Sequence, residues 1–243
     1  MAIDCRNCPL RANPLFQTMT EDELEFMRDF KSGEIEIPPG APILVESEPS
    51  PRLYTVLDGM GLRFKTLDDG RRQVLNFVMP GDFLGLQAAF GAHMGHSVEA
   101  TTPMRLCVFE RSEFFSVFAN QPSRAYDVTW IAATEEHFLG EALASIGQRS
   151  AIERIAWGLV QIFERARHLG MTQGTTLDFP FRQQDLADTL GLSLVHTNKT
   201  LAKLRERQLA TWMGRQLTIH DLDGLNKLAM ASPGVLLKER PLM

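Results

Sequence analysis

The 243-residue chain carries 44% hydrophobic and 23% charged residues, a formal net charge of −5 and three cysteines. Such apolar content can bury enough surface to offset the ordering entropy of one large domain or two smaller ones, which excludes bulk disorder. No apolar run approaches the roughly eighteen residues of a membrane span, and three cysteines cannot frame a disulfide scaffold. The opening Met1-Ala-Ile-Asp-Cys-Arg has charge without an apolar stretch behind it, so no secretory signal is read and a cytoplasmic location is expected.

Thr20 with Asp22 and Glu23 just downstream has the form of an N-cap with an acidic first turn, predicting a short helix over Glu21–Phe30 that lids a β-roll. From Ile35 to Phe109, short β runs alternate with the turn signals Pro38-Pro39-Gly40, Asp58-Gly59, Asp68-Asp69-Gly70, Pro80-Gly81-Asp82 and Gly91 to Gly95. Turns about ten residues apart indicate an antiparallel sandwich or barrel, here a β-roll or jelly roll. Ser112–Asn120 reads as a short helix. Pro122 suits a first helical turn and opens a long helix to about Ile146, whose Val128, Ile131, Phe138, Ala142 and Ser145 fall near three-four spacing. That stripe fits a dimerising helix pair or a helix packed on its own roll. Ser150–His168 is a further amphipathic helix, and 170–176 a loop.

Charge is uneven along the chain. Residues 1–148 hold 12 Lys and Arg against 21 Asp and Glu, residues 149–215 hold 10 against 6, and residues 216–243 hold 3 of each. A basic segment in an acidic chain fits a surface that meets a polyanion, or a mixed solvated face.

Within that basic segment, Gln183 to Leu201 fits a helix-turn-helix. Small Ala187 lets the second helix cross closely, Gly191 permits the tight turn, and Ser193 caps the second helix. Leu186, Leu190, Leu192, Leu201 and Leu204 supply the shared core, and Lys199, Lys203, Arg205 and Arg207 are cations suited to phosphates. An ordinary helical hairpin also uses Gly turns and leucines. Leu209 to His220, with a tip at Trp212-Met213-Gly214-Arg215, would complete a winged form. In this geometry Val195, Asn198 and Lys199 are the expected base readers: Asn pairs with adenine, Lys donates to guanine and Val touches a thymine methyl. Gln183, Ser193, His196 and Lys203 are expected at phosphates, with His196 equally suited to a plain surface role.

A β-roll, a long helix and a winged helix-turn-helix, in that order, resemble the Crp/Fnr family of bacterial transcription regulators, in its Fnr/FixK-like branch that does not bind cyclic nucleotides. The carriers are Asp69-Gly70-Arg71-Arg72-Gln73, Pro80-Gly81-Asp82-Phe83-Leu84-Gly85 and Gly191 to Lys199. The resemblance implies a homodimer that binds a palindromic site in double-stranded DNA and contacts RNA polymerase. Members that bind cyclic nucleotides have a Glu and an Arg-Ser pair for the ribose and phosphate. Leu86 stands at the first place, and Met94 to Ser97 has no arginine, so cyclic AMP is not expected. Family members often read DNA with a Glu and an Arg where Val195 and Lys199 stand, so the usual consensus site is not expected either.

Cys5-x2-Cys8 with Cys107 resembles part of the iron–sulfur pattern of the Fnr branch, whose four thiolates include one that would stand near Pro14. The pair equally suits zinc, a redox switch or no role, and Cys107 equally suits a small core position. His93-x2-His96 is a metal pair or part of a solvated Gly-rich loop.

The expected fold is thus α+β: a β-roll sensor domain with an N-terminal extension over residues 1–120, a dimerisation helix over 121–148, and a winged helix-turn-helix domain over 149–243 with recognition helix 193–207. The expected function is a homodimeric, sequence-specific transcription regulator with an unidentified effector. The alternative is a redox, iron–sulfur or metal-thiolate sensor using Cys5, Cys8 and Cys107, with DNA binding as output. No P-loop, nucleophile elbow or HExxH motif points to an enzyme.

Overall fold

The computed structural model describes residues 3–91, 93–230 and 240–243. The chain forms two compact units, one of Met1–Thr66, Asn76–Glu136 and Lys238–Met243, the other of Leu67–Leu75 and His137–Leu237.

The first unit opens with two 3-10 turns, Cys5–Asn7 and Pro9–Ala12, and helix α1 (Glu21–Phe30). A capping box starts α1: the Thr20 side chain accepts from the Glu23 amide, and the Glu23 carboxylate accepts from the Thr20 amide at 2.8 Å. Strands β1 (Lys31–Ile37), β2 (Pro42–Leu44), β3 (Arg52–Asp58), β4 (Gly61–Thr66), β5 (Arg72–Val78), β6 (Phe83–Leu84), β7 (Ser97–Ala100) and β8 (Met104–Glu110) come after it, with short helix α2 (Leu86–Gly91) before β7. They form two four-stranded sheets, ordered β1-β8-β3-β6 and β2-β7-β4-β5. Each strand sends alternate side chains inward, so Tyr54, Val56, Val78, Leu84, Met94, Val98, Ala100, Met104, Leu106 and Val108 fill the roll as one apolar cluster. Helix α3 (Phe115–Asn120) leads to α4 (Pro122–Gln148).

In the second unit, α5 (Ala151–His168) starts at Ser150 with a capping box to Glu153 and buries Ile155, Ala156, Leu159, Ile162 and Phe163. Strands β9 (Thr172–Gln173) and β10 (Thr176–Asp178) come next, then α6 (Gln183–Leu190), α7 (Leu194–Glu206), β11 (Ala210–Met213), β12 (Gln216–Ile219) and α8 (Leu222–Ala229). The strands form a second-unit sheet ordered β11-β12-β10-β9.

Two expectations change. The stretch 170–176 is not all loop, because Thr172 and Leu177 pair across a tight turn and give β9 to the sheet. The long helix expected over 121–148 is α4, and the two compact units divide within it, after Glu136. Residues 240–243, expected in the winged domain, belong instead to the first unit, where Leu242 and Met243 are each 4% exposed: apolar side chains go where a cavity accepts them. Residues 231–239, expected in the winged domain as well, lie outside the described residues.

Candidate nucleic-acid interface

Helix α6 ends at Gly191, which adopts φ 63°, ψ 39° and bonds its amide to the Ala187 carbonyl. Only glycine takes this left-handed conformation without cost, so the turn into α7 is tight. Ser193 then accepts from the His196 amide and caps α7. Thr197, Thr200, Leu201 and Leu204 face inward onto a core that includes Leu186, Ala187 and Leu190.

The opposite face of α7 is open. Val195 is 65% exposed, and Ser193, His196, Asn198, Lys199 and Lys203 are exposed around it. The expected readers Val195, Asn198 and Lys199 therefore share the free side of one helix, with Arg205 and Arg207 exposed toward its end. Gln183 is half-buried at the start of α6. Leu192, expected in the core, is also only half-buried, since the turn lifts it toward the surface.

Several residues that fix this geometry escape sequence reading. The buried Asp185 carboxylate accepts from Arg182 Nη2 at 2.8 Å and from Arg72 Nη2 at 2.9 Å, and also takes the Arg182 amide at 2.8 Å. Arg154 Nη1 on α5 donates to the Leu190 carbonyl at 2.8 Å, placing a cation at the C-terminus of α6, where the helix dipole favours it. Gly158 lets α5 approach α6: a Cβ there would stand 3.3 Å from Leu190 and 3.5 Å from Leu186. A glycine inside an otherwise strong helix is the one sequence signal for this contact. In the wing, Phe179 stacks edge-on against Phe181 and Trp212 with centroids 5.0 and 4.7 Å apart, while Met213 at the tip stays exposed.

The three cysteines are brought together elsewhere, in the first unit. Cys5, Cys8 and Cys107 line one cavity of about 30 Å³ with Met19, Met27, Lys31, Leu242 and Met243. Burial raises the Cys5 thiol and pushes Cys107 up to about 12 despite the nearby Lys31 ammonium. Lys31 itself is committed to Glu34 Oε1 and to the Ile3 carbonyl, each at 2.6 Å. The four-thiolate cluster of the Fnr branch does not fit here. Pro14 is exposed, the chain holds three cysteines, and the cavity has room for a water or two rather than for four irons and four sulfides. Among the described residues no group of three or more His, Cys, Asp and Glu is placed to hold a metal ion. His96 also differs from its expected solvated setting: it is buried, and desolvation, with Arg63 and Lys65 adding to it, lowers its pKa to about 3, so it stays neutral.

A profile described as the cyclic nucleotide-binding domain matches residues 34–121, and one described as the Crp-like helix-turn-helix domain matches residues 153–228. Over 194 residues the chain is 31% identical to the transcriptional activatory protein AadR of Rhodopseudomonas palustris, covering 79% of this chain and 80% of that one. It is 29% identical to the nitrogen fixation regulation protein FixK of Bradyrhizobium diazoefficiens, over 82% and 83% of the two chains. The structure of FixK2 from Bradyrhizobium japonicum superposes with a TM-score of 0.75 at 26% identity, covering 82% of this chain and 98% of that one.

Proposed function

The chain belongs to the Crp/Fnr family of DNA-binding transcription regulators, and on that premise we propose that it binds a palindromic promoter site as a homodimer, with α7 of each copy in a major groove. The observation that carries this is the exposed face of α7, where Val195, Asn198 and Lys199 stand free of the core formed by Thr197, Leu201 and Leu204. Asn198 and Lys199 read bases, Val195 touches a thymine methyl, and Gln183, Ser193, His196 and Lys203 meet phosphates. Paired copies present their recognition helices about one helical turn of DNA apart.

Dimerisation has support along α4, where Tyr126 and Leu143 are each 72% exposed and Leu139 is also open. Apolar side chains at such exposure on one helix suit a second copy of the same helix. A regulator of this kind works in the cytoplasm and contacts RNA polymerase, and it carries out no catalysis. Among the described residues no helix is long and apolar enough to cross a membrane. Cyclic AMP is not its effector: Leu86 and Met94 to Ser97 offer neither the carboxylate nor the guanidinium that ribose and phosphate require.

Selection of bound sequences from random DNA, followed by titration at several salt concentrations, tests the reading. Recovery of an inverted repeat with half-sites about ten base pairs apart is expected. Equal affinity for all sequences would leave only phosphate binding and reject base reading.

A further inference from the structure

Residues 240–243 wall part of the thiol cavity and are tied down at several points. The Arg240 amide donates to the Leu15 carbonyl at 2.8 Å, and the Gln17 amide donates to the Arg240 carbonyl at 2.9 Å, so Phe16 and Arg240 form a parallel β-bridge. Arg240 Nη2 donates to Asp82 Oδ1 at 2.7 Å, with both residues buried. Asp82 Oδ2 meanwhile accepts from the Met79 amide at 3.0 Å, so one carboxylate ties the Pro80-Gly81-Asp82 turn to this segment. Arg124 Nη1, in the first turn of α4, donates to the Leu242 carbonyl at 3.1 Å, and Thr55 Oγ1 donates to the Met243 carbonyl. Leu242 and Met243 lie in the cavity beside Cys5, Cys8 and Cys107.

We propose that residues 240–243 are a latch over a three-thiol site whose Cys5 and Cys8 are half-buried and whose Cys107 is buried, and that latch release opens Cys107 to small thiol-directed electrophiles and parts Arg124 Nη1 from the Leu242 carbonyl. The latch is held mainly by directional bonds at a few points: two main-chain bonds, one buried ion pair and two carbonyls. Such an attachment can let go locally while the two sheets stay folded. Cys107 is 7% exposed behind it, and a thiol sealed among apolar groups is inert. Docking and modification are therefore linked reciprocally: whatever the latch does to thiol reactivity, thiol modification does to latch docking. A small group added to the buried Cys107 sulfur needs the space that Leu242 and Met243 fill beside it. The inference is independent of DNA recognition, because it concerns accessibility within the first unit.

The probe is methyl methanethiosulfonate. The cysteine sulfur attacks the reagent's sulfenyl sulfur, a Cys–S–S–CH3 bond forms, and methanesulfinate leaves while the thiol proton passes to solvent. Labelling is followed by mass spectrometry on the full chain, in wild type, Arg240→Ala and the double variant Leu242→Ala with Met243→Ala. Circular dichroism and urea unfolding check that each remains folded. Labelling of Cys107 should rise on the order of a hundredfold in Arg240→Ala, where the buried Asp82 carboxylate loses the Arg240 guanidinium, with urea unfolding shifted to lower concentration but still one cooperative transition. The double variant keeps the test decisive if Arg240→Ala fails to fold. Conversely, hydrogen exchange in peptides containing residues 15–17 and 240–243 should quicken once wild type has been labelled. Wild-type labelling that requires global unfolding, rates unchanged in the folded variants, or unaltered exchange after labelling would each overturn the latch and make 240–243 a fixed part of the core.

Discussion

Helix α7 and the thiol cavity carry their chemistry in opposite ways. In α7 the polar and charged groups point outward, and the protein's work is to hold a helix rigidly from behind, through Thr197, Leu201 and Leu204. In the cavity the chemistry points inward, with Cys107 buried and Cys5 and Cys8 half-buried among mainly apolar neighbours. On the proposed reading the exposed face meets a large polyanion without rearrangement, whereas the buried Cys107 needs a movement before a reagent reaches it. Output groups can thus be read from a static surface, but a receiving site is defined as much by what covers it.

The contrast can be broken most severely from the inside. Leu204→Ala removes a fully buried side chain from beneath α7, and a loss of about 2 to 5 kcal/mol is expected in urea unfolding, with DNA binding lost alongside it. A small loss would mean that α7 is held by something other than this core. Acid offers a second route, through the buried His96. Its pKa falls from 6.5 to about 3 in the folded protein, so the unfolded chain takes up a proton that the native one refuses. Its contribution to stability is intact above pH 6.5 and is lost as pH falls from there to about 3, at about 1.4 kcal/mol per pH unit. His96→Gln should flatten that limb of the urea-unfolding profile, and an unchanged slope would show that another group governs it.

On the exposed side, Lys199→Ala should weaken specific binding by about 1 to 3 kcal/mol if the lysine reads a base. An equal loss on specific and random DNA in fluorescence anisotropy would make it a phosphate contact. Ser193→Ala should cost about 1 kcal/mol of stability through the lost cap on the His196 amide. Cys107→Ala sharpens the contrast at its smallest: with the fold intact, DNA affinity measured without any thiol reagent should not change. A change would show that the cavity and α7 are coupled even when the latch is closed.

Much of this is legible in the sequence. Thr20, Ser150 and Ser193 mark helix starts because the orphaned amides of a first turn need a side-chain acceptor nearby in sequence. Gly191 marks the recognition turn because a left-handed residue has few alternatives. The strands of the roll emerge from turn residues at regular spacing, and the exposed positions Val195, Asn198 and Lys199 emerge from helical phase once the buried positions of α7 are known. These are local rules, and they operate over a few residues.

What the tertiary structure alone decided depends on distance through space. Asp185 finds Arg72 and Arg182, Arg154 finds the end of α6, and Gly158 makes room for Leu186 and Leu190. Cys5 and Cys8 meet Cys107 across about a hundred residues, and Leu242 and Met243 line the same cavity. No periodicity announces that a four-residue segment at the far end of the sequence will occupy a cavity in the β-roll. Its burial depends on the shape left between α1, β3 and β8, which exists only after those elements have packed. Sequence patterning therefore determined the order of elements and the family, because capping, turn formation and helical phase are short-range. The enclosure of the thiols arose from long-range packing, where the free energy of filling a void depends on every wall at once.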